Sequence, residues 1–317
     1  MNAVEKVKEL KSLLYEQLSC IIGNQCILVA VPYYQNVGDV LIWEGERQFL
    51  SDIGSHIEST YSVTTFPKGK NLSKSTNIIF SGGGNIGDIY DEYVDLLKYL
   101  TIQYPQNRII VLPQTVYYSN PTKYESDFSI IGTHKNLYFC ARDRSVYNHL
   151  LPILGKRVIL IPDMAFCIDS ETLSRYSSQT SKNKLYLMRT DQEKVLGKDC
   201  NQSDGDLSDW ITEEKKDWTV MLNDRFWEHA GIKRKWMRYV FDRIWDIYAQ
   251  SILKKRIFRK GVQQVSQYEQ IETSRLHGSI LAVLLNRQCI LHDNCYHKNL
   301  QFYETWFTDL DIIRFAY

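Results

Sequence analysis

The sequence predicts an α/β protein in which parallel sheets are covered by helices on both faces. Five apolar runs of strand length, each leading into a loop and then a helical pattern, lie at residues 26–32, 77–81, 108–113, 137–142 and 157–162. Strands that are apolar along their whole length suit a parallel sheet buried on both faces. The repeated strand, loop and helix units therefore indicate a doubly wound, Rossmann-like domain.

The chain is long enough to form a second domain of ordinary size. It has 317 residues, of which 44% are hydrophobic, and this supply can fill two cores. Residues 169–184 are rich in Ser, Thr, Gln, Asn and Lys and lack an apolar period, which indicates a linker. Residues 184–191 then have the pattern of a first strand. We therefore predict one Rossmann-like domain over residues 1–175 and another over 183–317.

Composition limits the classes of partner and compartment. The chain has 38 Lys and Arg against 37 Asp and Glu, and the net charge of +1 gives no overall basis for binding nucleic acid. Seven cysteines without a C-x-x-C pair fit reduced thiols in the cytoplasm better than a disulfide framework. Residues 1–18 have an amphipathic helical pattern and not that of a signal peptide. We expect a cytoplasmic protein, soluble or peripheral, without a bound metal.

The loop after the first predicted strand has the composition of a ligand-binding turn. It contains Asn-Val-Gly-Asp at residues 36–39, and a helix is predicted over residues 41–50. Gly38 permits a close approach of the backbone to a ligand. Asp39 either caps the helix or accepts hydrogen bonds from sugar hydroxyls.

Three consecutive glycines follow the second predicted strand. Gly82, Gly83 and Gly84, with Asn85 after them, cost backbone entropy that a fold retains mainly where the chain approaches another group closely. The spacing of Gly82, Gly84 and Gly87 nearly matches a dinucleotide-binding loop, but no acidic residue ends a following strand at the expected distance. The glycines therefore predict a loop facing a ligand, with NAD disfavoured.

Polar residues end several later strands, at the edge where open α/β sheets bind ligands. Gln114 follows the third predicted strand, Arg142 ends the fourth, and Arg189 ends the first strand of the second domain. A guanidinium group pairs well with phosphate or carboxylate, so the two arginines are candidates for anion binding. Surface ion pairs, such as one between Arg189 and Asp191, are the alternative.

The densest group of candidate residues precedes an apolar helix near the C-terminus. Arg275 and His277 stand two residues apart at its start, and Ser274 can cap the helix so that its free N–H groups face an anion. Gly278 lets the backbone come close to a ligand. The alternative is an ordinary capped helix with a surface arginine and a partly buried histidine.

These motifs resemble those of the polysaccharide pyruvyltransferase family. In the C-terminal half, the resemblance rests on Arg-Leu-His-Gly at 275–278 and on Asp293, Asn294, Tyr296, Lys298 and Asn299. In the N-terminal half, it rests on Asn-x-Gly-Asp at 36–39 and Ser-Gly-Gly-Gly-Asn at 81–85. Ser274 stands where the family usually has Asp, which leaves open what would orient Arg275. His297 stands where the family usually has Gly, which leaves open the conformation of that turn.

The resemblance implies a GT-B-like fold, in which two Rossmann-like doubly wound domains face each other across a cleft, and the last helix often packs back on the first domain. It implies transfer of a pyruvyl group from phosphoenolpyruvate to a sugar diol of a polysaccharide or its lipid-linked precursor. The products would be a pyruvate ketal and phosphate, and no cofactor is expected besides phosphoenolpyruvate as co-substrate.

The resemblance also implies roles for particular residues. His277 is the residue of the matching motifs whose ordinary pKa lies near neutrality, so we expect it to be the catalytic acid/base, with Arg275 as the second catalytic residue. The residues expected to bind the donor are Arg142, Arg189, Ser274, Arg275, Gly278 and Lys298. Those expected on the acceptor side or in cleft loops are Asn36, Gly38, Asp39, Gly82, Gly83, Gly84, Asn85, Gln114 and Asn294.

Two other functions fit this fold, and one further segment suggests a partner. The protein is alternatively a GT-B glycosyltransferase that uses a nucleotide sugar, or a non-catalytic scaffold for glycan assembly. Residues 224–260 contain eleven Lys or Arg against four Asp or Glu, interleaved with aromatic and aliphatic residues, and predict a basic helical hairpin. This hairpin either packs within its domain or docks on an anionic membrane surface.

Overall fold

The computed structural model describes residues 1–191, 204–210 and 235–317. In these residues the chain forms two parallel β-sheets with flanking helices, so the predicted α/β class with parallel sheets is confirmed. The division into two domains at residues 175 and 183 stays a prediction.

The first sheet comprises the strands of the N-terminal half. They are β1 Gln25–Val29, β2 His56–Thr60, β3 Asn77–Phe80, β4 Gly83–Gly87, β5 Ile109–Tyr117, β6 Leu137–Ala141 and β7 Val158–Leu160. The strand order is β2-β1-β3-β5-β6-β7, with β4 paired to β5, and the pairings are parallel. Because β1 lies between β2 and β3, the chain extends the sheet in both directions from β1, as doubly wound sheets do.

The helices of this half are α1 Ala3–Leu18, α2 Val37–Asp52, α3 Asp91–Gln103, α4 Pro121–Ile131, α5 Arg144–Leu154 and α6 Ser170–Tyr176. Five of them begin after an Asn or Asp whose side chain accepts a backbone N–H, namely Asn2, Asn36, Asn120, Asp143 and Asp169. Each such cap stabilises its helix by about 1 kcal/mol. Helix α2 starts four residues before the predicted start because Asn36, and not Asp39, is its cap.

The predicted linker at residues 169–184 is shorter than the composition suggested. Helix α6 occupies seven of these residues, with Asp169 as its cap and Leu173 buried at 4% exposure. The next strand already begins at Lys182. One buried leucine and one cap hold this short helix, and neither produces the apolar period on which the prediction depended.

The second sheet comprises β8 Lys182–Leu187, β9 Asp206–Ser208, β10 Tyr268–Thr273, β11 Gln288–His292 and β12 Ile313–Ala316. Its order is β12-β11-β10-β8-β9, again with parallel pairings. Central β10 pairs with β8 and β11, so Ile271 lies opposite Leu185 and Cys289. The helices described in this half are α7 Lys235–Tyr248, α8 Lys254–Ser266, α9 Leu276–Leu284 and α10 Lys298–Trp306.

Helices α7 and α8 contain most of the predicted basic hairpin. Residues 224–234 of that prediction lie outside the described residues. From residue 235 the chain is one helical run to residue 266, because a π-helical turn at Ala249–Leu253 joins α7 directly to α8. The described part of the segment is therefore helical as predicted, but it does not reverse direction.

One hydrophobic cluster extends across both sheets. Leu28 and Phe49 of the first half belong to the same buried cluster as Leu185, Ile271 and Ile280 of the second. A separate cluster covers the other face of the first sheet. Helix α10 also contacts the first half, where the indole nitrogen of Trp306 donates to the backbone oxygen of Arg142 at 2.8 Å. The two sheets are thus joined by apolar packing, and their loops meet around the candidate site.

Candidate active site

The site combines residues that follow strands of both sheets. Asp163 follows β7, Arg142 follows β6, and Arg275 and His277 follow β10. In the structure, Nε2 of His277 lies 3.2 Å from Oδ2 of Asp163, although the two residues are separated by 113 intervening positions. A histidine of one sheet thus meets a carboxylate of the other. We call Arg142, Asp163 and His277 the carboxylate–imidazole cluster.

Asp163 is fully buried and held from two sides. Arg142 donates from Nη1 to Oδ2 at 2.9 Å, and the backbone N–H of Ala165 donates to Oδ1 at 2.9 Å. Burial by itself raises the pKa of the Asp163 carboxyl, but the nearby His277 and Arg142 outweigh burial and hold that pKa well below its usual range. Asp163 is therefore a fixed negative charge beside the His277 ring.

Arg142 supports this carboxylate and is almost completely buried, at 1% exposure. Besides Asp163, it donates to Oγ1 of Thr115 from Nε at 3.1 Å and from Nη2 at 2.7 Å. These contacts hold the guanidinium group against Asp163 and Thr115, and the predicted contact of Arg142 with the donor stays a prediction. A Cβ atom at Gly84 would lie 3.6 Å from Nη2, so the glycine run passes next to this guanidinium.

Gly38 packs against His277. A Cβ atom at position 38 would lie 2.5 Å from Nδ1 of the ring, which is closer than van der Waals contact allows. Nε2 of the same ring faces Asp163. The backbone at Gly38 therefore lies close to the His277 side chain, and the predicted contact of Gly38 with a ligand stays a prediction.

Four charged residues form a second group beside His277, which we call the arginine–aspartate quartet. Nε and Nη2 of Arg275 donate to the two carboxylate oxygens of Asp209, the Nη2 contact being 2.8 Å, and Nη2 also lies 3.1 Å from Asp191. Arg189 donates to both oxygens of Asp191, at 2.9 and 3.1 Å. The quartet contains two cations and two anions, so its formal charge is zero.

Two carboxylates of the quartet orient Arg275, although Ser274 stands where the family usually has Asp. The carboxylates come from Asp191, which follows β8, and Asp209, which follows β9, and Asp209 is 3% exposed. A bidentate carboxylate contact fixes the plane of a guanidinium group. Asp209 and Asp163 are not among the site residues predicted from the sequence, although Asp163 directly follows a predicted strand at the ligand-binding edge.

One prediction about the start of helix α9 is wrong, and another stays a prediction. Ser274 does not cap the helix, since the cap position is Arg275, and Oγ of Ser274 instead accepts the backbone N–H of Arg189 at 2.9 Å. Gly278 is required for packing, because a Cβ atom there would lie 2.6 Å from Oγ1 of Thr273, and its predicted approach to a ligand stays a prediction. Ser274 thus connects the start of the helix to the residues after β8, and Gly278 lets the helix pack closely on Thr273 of β10. A linear pattern does not reveal either contact.

The glycine run also differs from the prediction of a loop. Gly83–Gly87 is strand β4, paired with β5, and a Cβ atom at Gly82 would lie 2.8 Å from the backbone oxygen of Pro113. Gly83 has a φ of 137°, a conformation that favours glycine. Close packing therefore explains Gly82, and the backbone conformation explains Gly83.

Glu46 contacts the glycine run and is not among the site residues predicted from the sequence. It is fully buried in α2, and its carboxyl accepts the N–H of Gly82 at 2.7 Å and the hydroxyl of Ser81 at 2.9 Å. Burial raises the pKa of Glu46 to about 8, and the negative charges of Asp163 and Asp39 add to this effect although the two hydrogen bonds oppose it. The site thus contains one carboxyl with a lowered pKa and another with a raised pKa.

The predicted acceptor residues of the first half lie near this carboxyl. Asp39 accepts from the Tyr34 hydroxyl and from Nδ2 of Asn36, each at 2.8 Å, while Asn85 donates to the same Tyr34 hydroxyl at 3.4 Å.

Gln114 is fully buried and donates from Nε2 to the backbone oxygen of Ser81 at 2.7 Å. Its Oε1 has no hydrogen-bond partner within the described ranges.

The loop after β11 brings the last predicted residues towards the first sheet. Oδ1 of Asn294 accepts the backbone N–H of Lys298 at 2.9 Å, and Nζ of Lys298 donates to the Tyr296 hydroxyl at 2.9 Å. The Tyr296 ring packs at a tilt against Tyr117 of β5, with centroids 4.5 Å apart. His297 has a φ of 64°, so the left-handed turn that usually takes Gly is kept with a histidine.

Neither a metal cluster nor a membrane span is found in the parts of the chain that the structure describes. No group of three or more His, Cys, Asp or Glu there could hold a metal ion. No helix in the same residues is long and apolar enough to cross a bilayer.

Comparison with known proteins identifies the class to which this site belongs. The sequence profile of the family described as "Polysaccharide pyruvyl transferase" matches residues 36–296, which include both the carboxylate–imidazole cluster and the quartet. The chain therefore belongs to the polysaccharide pyruvyl transferase family and is a transferase enzyme.

Two named relatives agree with this class. The chain is 31% identical over 292 residues to "Putative pyruvyl transferase EpsO" of Bacillus subtilis, covering 89% of this chain and 85% of that protein. It is 24% identical over 295 residues to "Pyruvyl transferase 1" of Schizosaccharomyces pombe, covering 88% and 69%. A solved structure of a functionally uncharacterized protein from Klebsiella pneumoniae superposes with a TM-score of 0.64 at 18% identity over 98% of both chains, which supports the fold alone.

Proposed function

We propose that this protein transfers a pyruvyl group from phosphoenolpyruvate to two hydroxyls of a sugar, forming a pyruvate ketal and releasing phosphate. The acceptor is a polysaccharide or its lipid-linked precursor, and phosphoenolpyruvate is the co-substrate without a further cofactor. The observation that carries the proposal is the contact between His277 and Asp163 at 3.2 Å, beside the two arginines of the quartet. The proposal places the reaction in the cytoplasm, in a GT-B-like cleft between domains 1–175 and 183–317.

The chemistry requires a proton donor, a proton acceptor and cations. Protonation of the methylene carbon of the enol makes its C2 cation-like, and one sugar hydroxyl adds there. Phosphate then leaves, the second hydroxyl closes the ring, and the two hydroxyl protons end on the new methyl group and on phosphate. His277 gives the first proton from Nδ1 and recovers it from a hydroxyl, while Asp163 stabilises the charged ring through Nε2.

The quartet is the proposed site for the donor's phosphate and carboxylate. Arg275 and Arg189 face the same Asp191, whose side chain is 30% exposed, whereas Asp209 is nearly completely buried. An incoming anion competes with Asp191 for the two guanidinium groups, and Asp209 keeps Arg275 oriented meanwhile. Lys298 supplies a further cation at the start of α10.

The central test is replacement of His277 by Ala, Gln and Asn. We expect turnover to fall about 10²–10⁴-fold in all three variants, because Gln and Asn keep a hydrogen bond but cannot exchange a proton near neutral pH. Affinity for phosphoenolpyruvate should change little, since it depends on the arginines. His149→Gln, at an exposed position on α5, is the matched control and should retain native turnover. Near-native turnover in the Gln or Asn variant would exclude proton transfer by His277.

Arg275→Lys tests the donor site separately. A single ammonium cannot reproduce the paired contact with Asp209, so affinity for phosphoenolpyruvate should fall at least about tenfold although the charge is kept. Unchanged affinity would place the donor elsewhere.

Products and inhibitors distinguish the competing functions. Incubation with phosphoenolpyruvate and a panel of galactosides, mannosides and glucosides should give a product with the mass of the ketal. UDP should not inhibit, whereas analogues with both phosphate and carboxylate should. Inhibition by UDP without ketal formation would favour a nucleotide-sugar glycosyltransferase, and a scaffold would show no dependence on His277.

A further inference from the structure

A row of exposed apolar side chains lies along α7 and the π-helical turn that follows it. Val240, Ile244 and Ile247 are 46%, 57% and 65% exposed, and their spacing places them on one face of an α-helix. Ile252, 51% exposed, follows five residues later across the π-helical turn, whose hydrogen bonds link residues five apart. Five of the thirteen exposed large hydrophobic residues in the described chain lie between 240 and 252. Such clustering marks an interaction surface.

The opposite face of the same helical run is firmly packed. Asp246 is 2% exposed and accepts the Thr65 hydroxyl at 2.8 Å, which ties α7 to a loop of the first sheet. Ala249 and Leu253 are buried in the shared core. The outer row is therefore held in place by a packed inner face.

Basic residues continue the outer surface along α8. Lys255, Arg259 and Lys260 are exposed, and Arg243 on α7 has a side chain that is 45% exposed. Lys254 differs from them, because it is buried and paired with Glu44 of α2. The outward charge next to the apolar row is thus mainly positive.

We propose that Val240, Ile244, Ile247, Ile252, Lys255, Arg259 and Lys260 form a surface that docks on an anionic lipid bilayer. Apolar side chains enter the boundary between headgroups and acyl chains, while lysines and arginines pair with anionic headgroups, as interfacial amphipathic helices do. The positive charge beside the apolar row favours a lipid surface over a second copy of this chain, which would bring like charges together.

The position of α8 connects this surface to the candidate site. A Cβ atom at Gly261 of α8 would lie 2.2 Å from Cγ1 of Val37, the first residue of α2. Gly38, the next residue of α2, lies against His277. Docking therefore holds the site next to the bilayer, where a lipid-linked acceptor is concentrated. The docking itself does not depend on the proposed reaction, because it needs neither substrate nor His277.

Vesicle co-sedimentation of the full chain without substrate tests the proposal. We expect binding to phosphatidylcholine vesicles that contain phosphatidylglycerol, weaker binding without it, and loss of binding at high salt. Lys255→Gln/Arg259→Gln/Lys260→Gln should lower the partition coefficient by up to about fivefold per residue. Ile244→Ser/Ile247→Ser should lower it at least about tenfold.

Matched controls change exposed residues on other faces. Lys8→Gln/Lys135→Gln/Lys156→Gln removes the same charge, and Ile102→Ser/Leu151→Ser removes two other exposed apolar side chains. Both controls should bind vesicles within about twofold of the unchanged protein. Equal losses in variants and controls, or no binding by the unchanged protein, would overturn the proposal. The proposal would also be overturned if Ile244→Ser/Ile247→Ser changed the molecular mass measured by light scattering but left vesicle binding unchanged. That result would identify the surface as an interface between two copies of this chain.

Discussion

Glu46→Gln should make the stability of this protein less sensitive to pH. Glu46 is fully buried, and its pKa is raised from the ordinary 4.5 to about 8. Between these two pH values the folded protein keeps a proton that the unfolded chain releases, so the free energy of unfolding falls as pH rises. This destabilisation is absent below pH 4.5 and complete above about pH 8.

The magnitude follows from the two pKa values. A difference from 4.5 to about 8, at about 1.4 kcal/mol for each pH unit, corresponds to about 5 kcal/mol as an upper limit. Glutamine is neutral throughout and keeps an oxygen that can accept the N–H of Gly82. The difference in the free energy of unfolding between the variant and the unchanged protein should therefore grow by about 3 kcal/mol, in favour of the variant, as the pH rises from about 5.5 to about 7.5.

Urea unfolding across this pH range measures the effect. The difference between the Gln variant and the unchanged protein isolates Glu46, because other groups such as Asp246, whose pKa burial raises to about 6, are common to both. Glu16→Gln, at an exposed position on α1, is the control and should give a difference that does not vary with pH. A constant difference for Glu46→Gln would show that this carboxyl is ionised in the folded protein, and the assignment of its raised pKa would be wrong.

Two other predictions concern backbone positions. Gly38→Ala should lower turnover about 10²-fold with little change in melting temperature. The reason is that the new Cβ atom would lie 2.5 Å from Nδ1 of His277 and must displace the ring. Unchanged turnover in a steady-state assay would show that Gly38 has no effect on catalysis. His297→Val should lower the free energy of unfolding by about 1–2 kcal/mol, since a branched side chain fits poorly at a φ of 64°, whereas His297→Gly should stay within about 1 kcal/mol of the unchanged protein. Urea unfolding compares the two, and equal stability of the Val and Gly variants would contradict a strained turn.

The sequence by itself determined the fold class and the residues at the strand ends. Apolar runs of strand length reveal buried parallel strands because that signal is local and needs no partner. Arg275 and His277 stand close together in the chain, so their pairing at the start of one helix was also visible. The strand after them and the polar loop completed a motif specific enough to indicate the family, which comparison with known proteins then showed.

The tertiary structure decided which groups act on those residues. Asp163, Asp209 and Glu46 are distant in sequence from the side chains or backbone groups that they hold, and a carboxylate's partner depends on how two sheets pack. The same holds for glycines, because the structure alone shows that Gly38 accommodates His277 and that Gly278 accommodates Thr273. A sequence shows that a Cβ atom is missing, whereas the neighbour for which the space is kept is defined when distant segments come together.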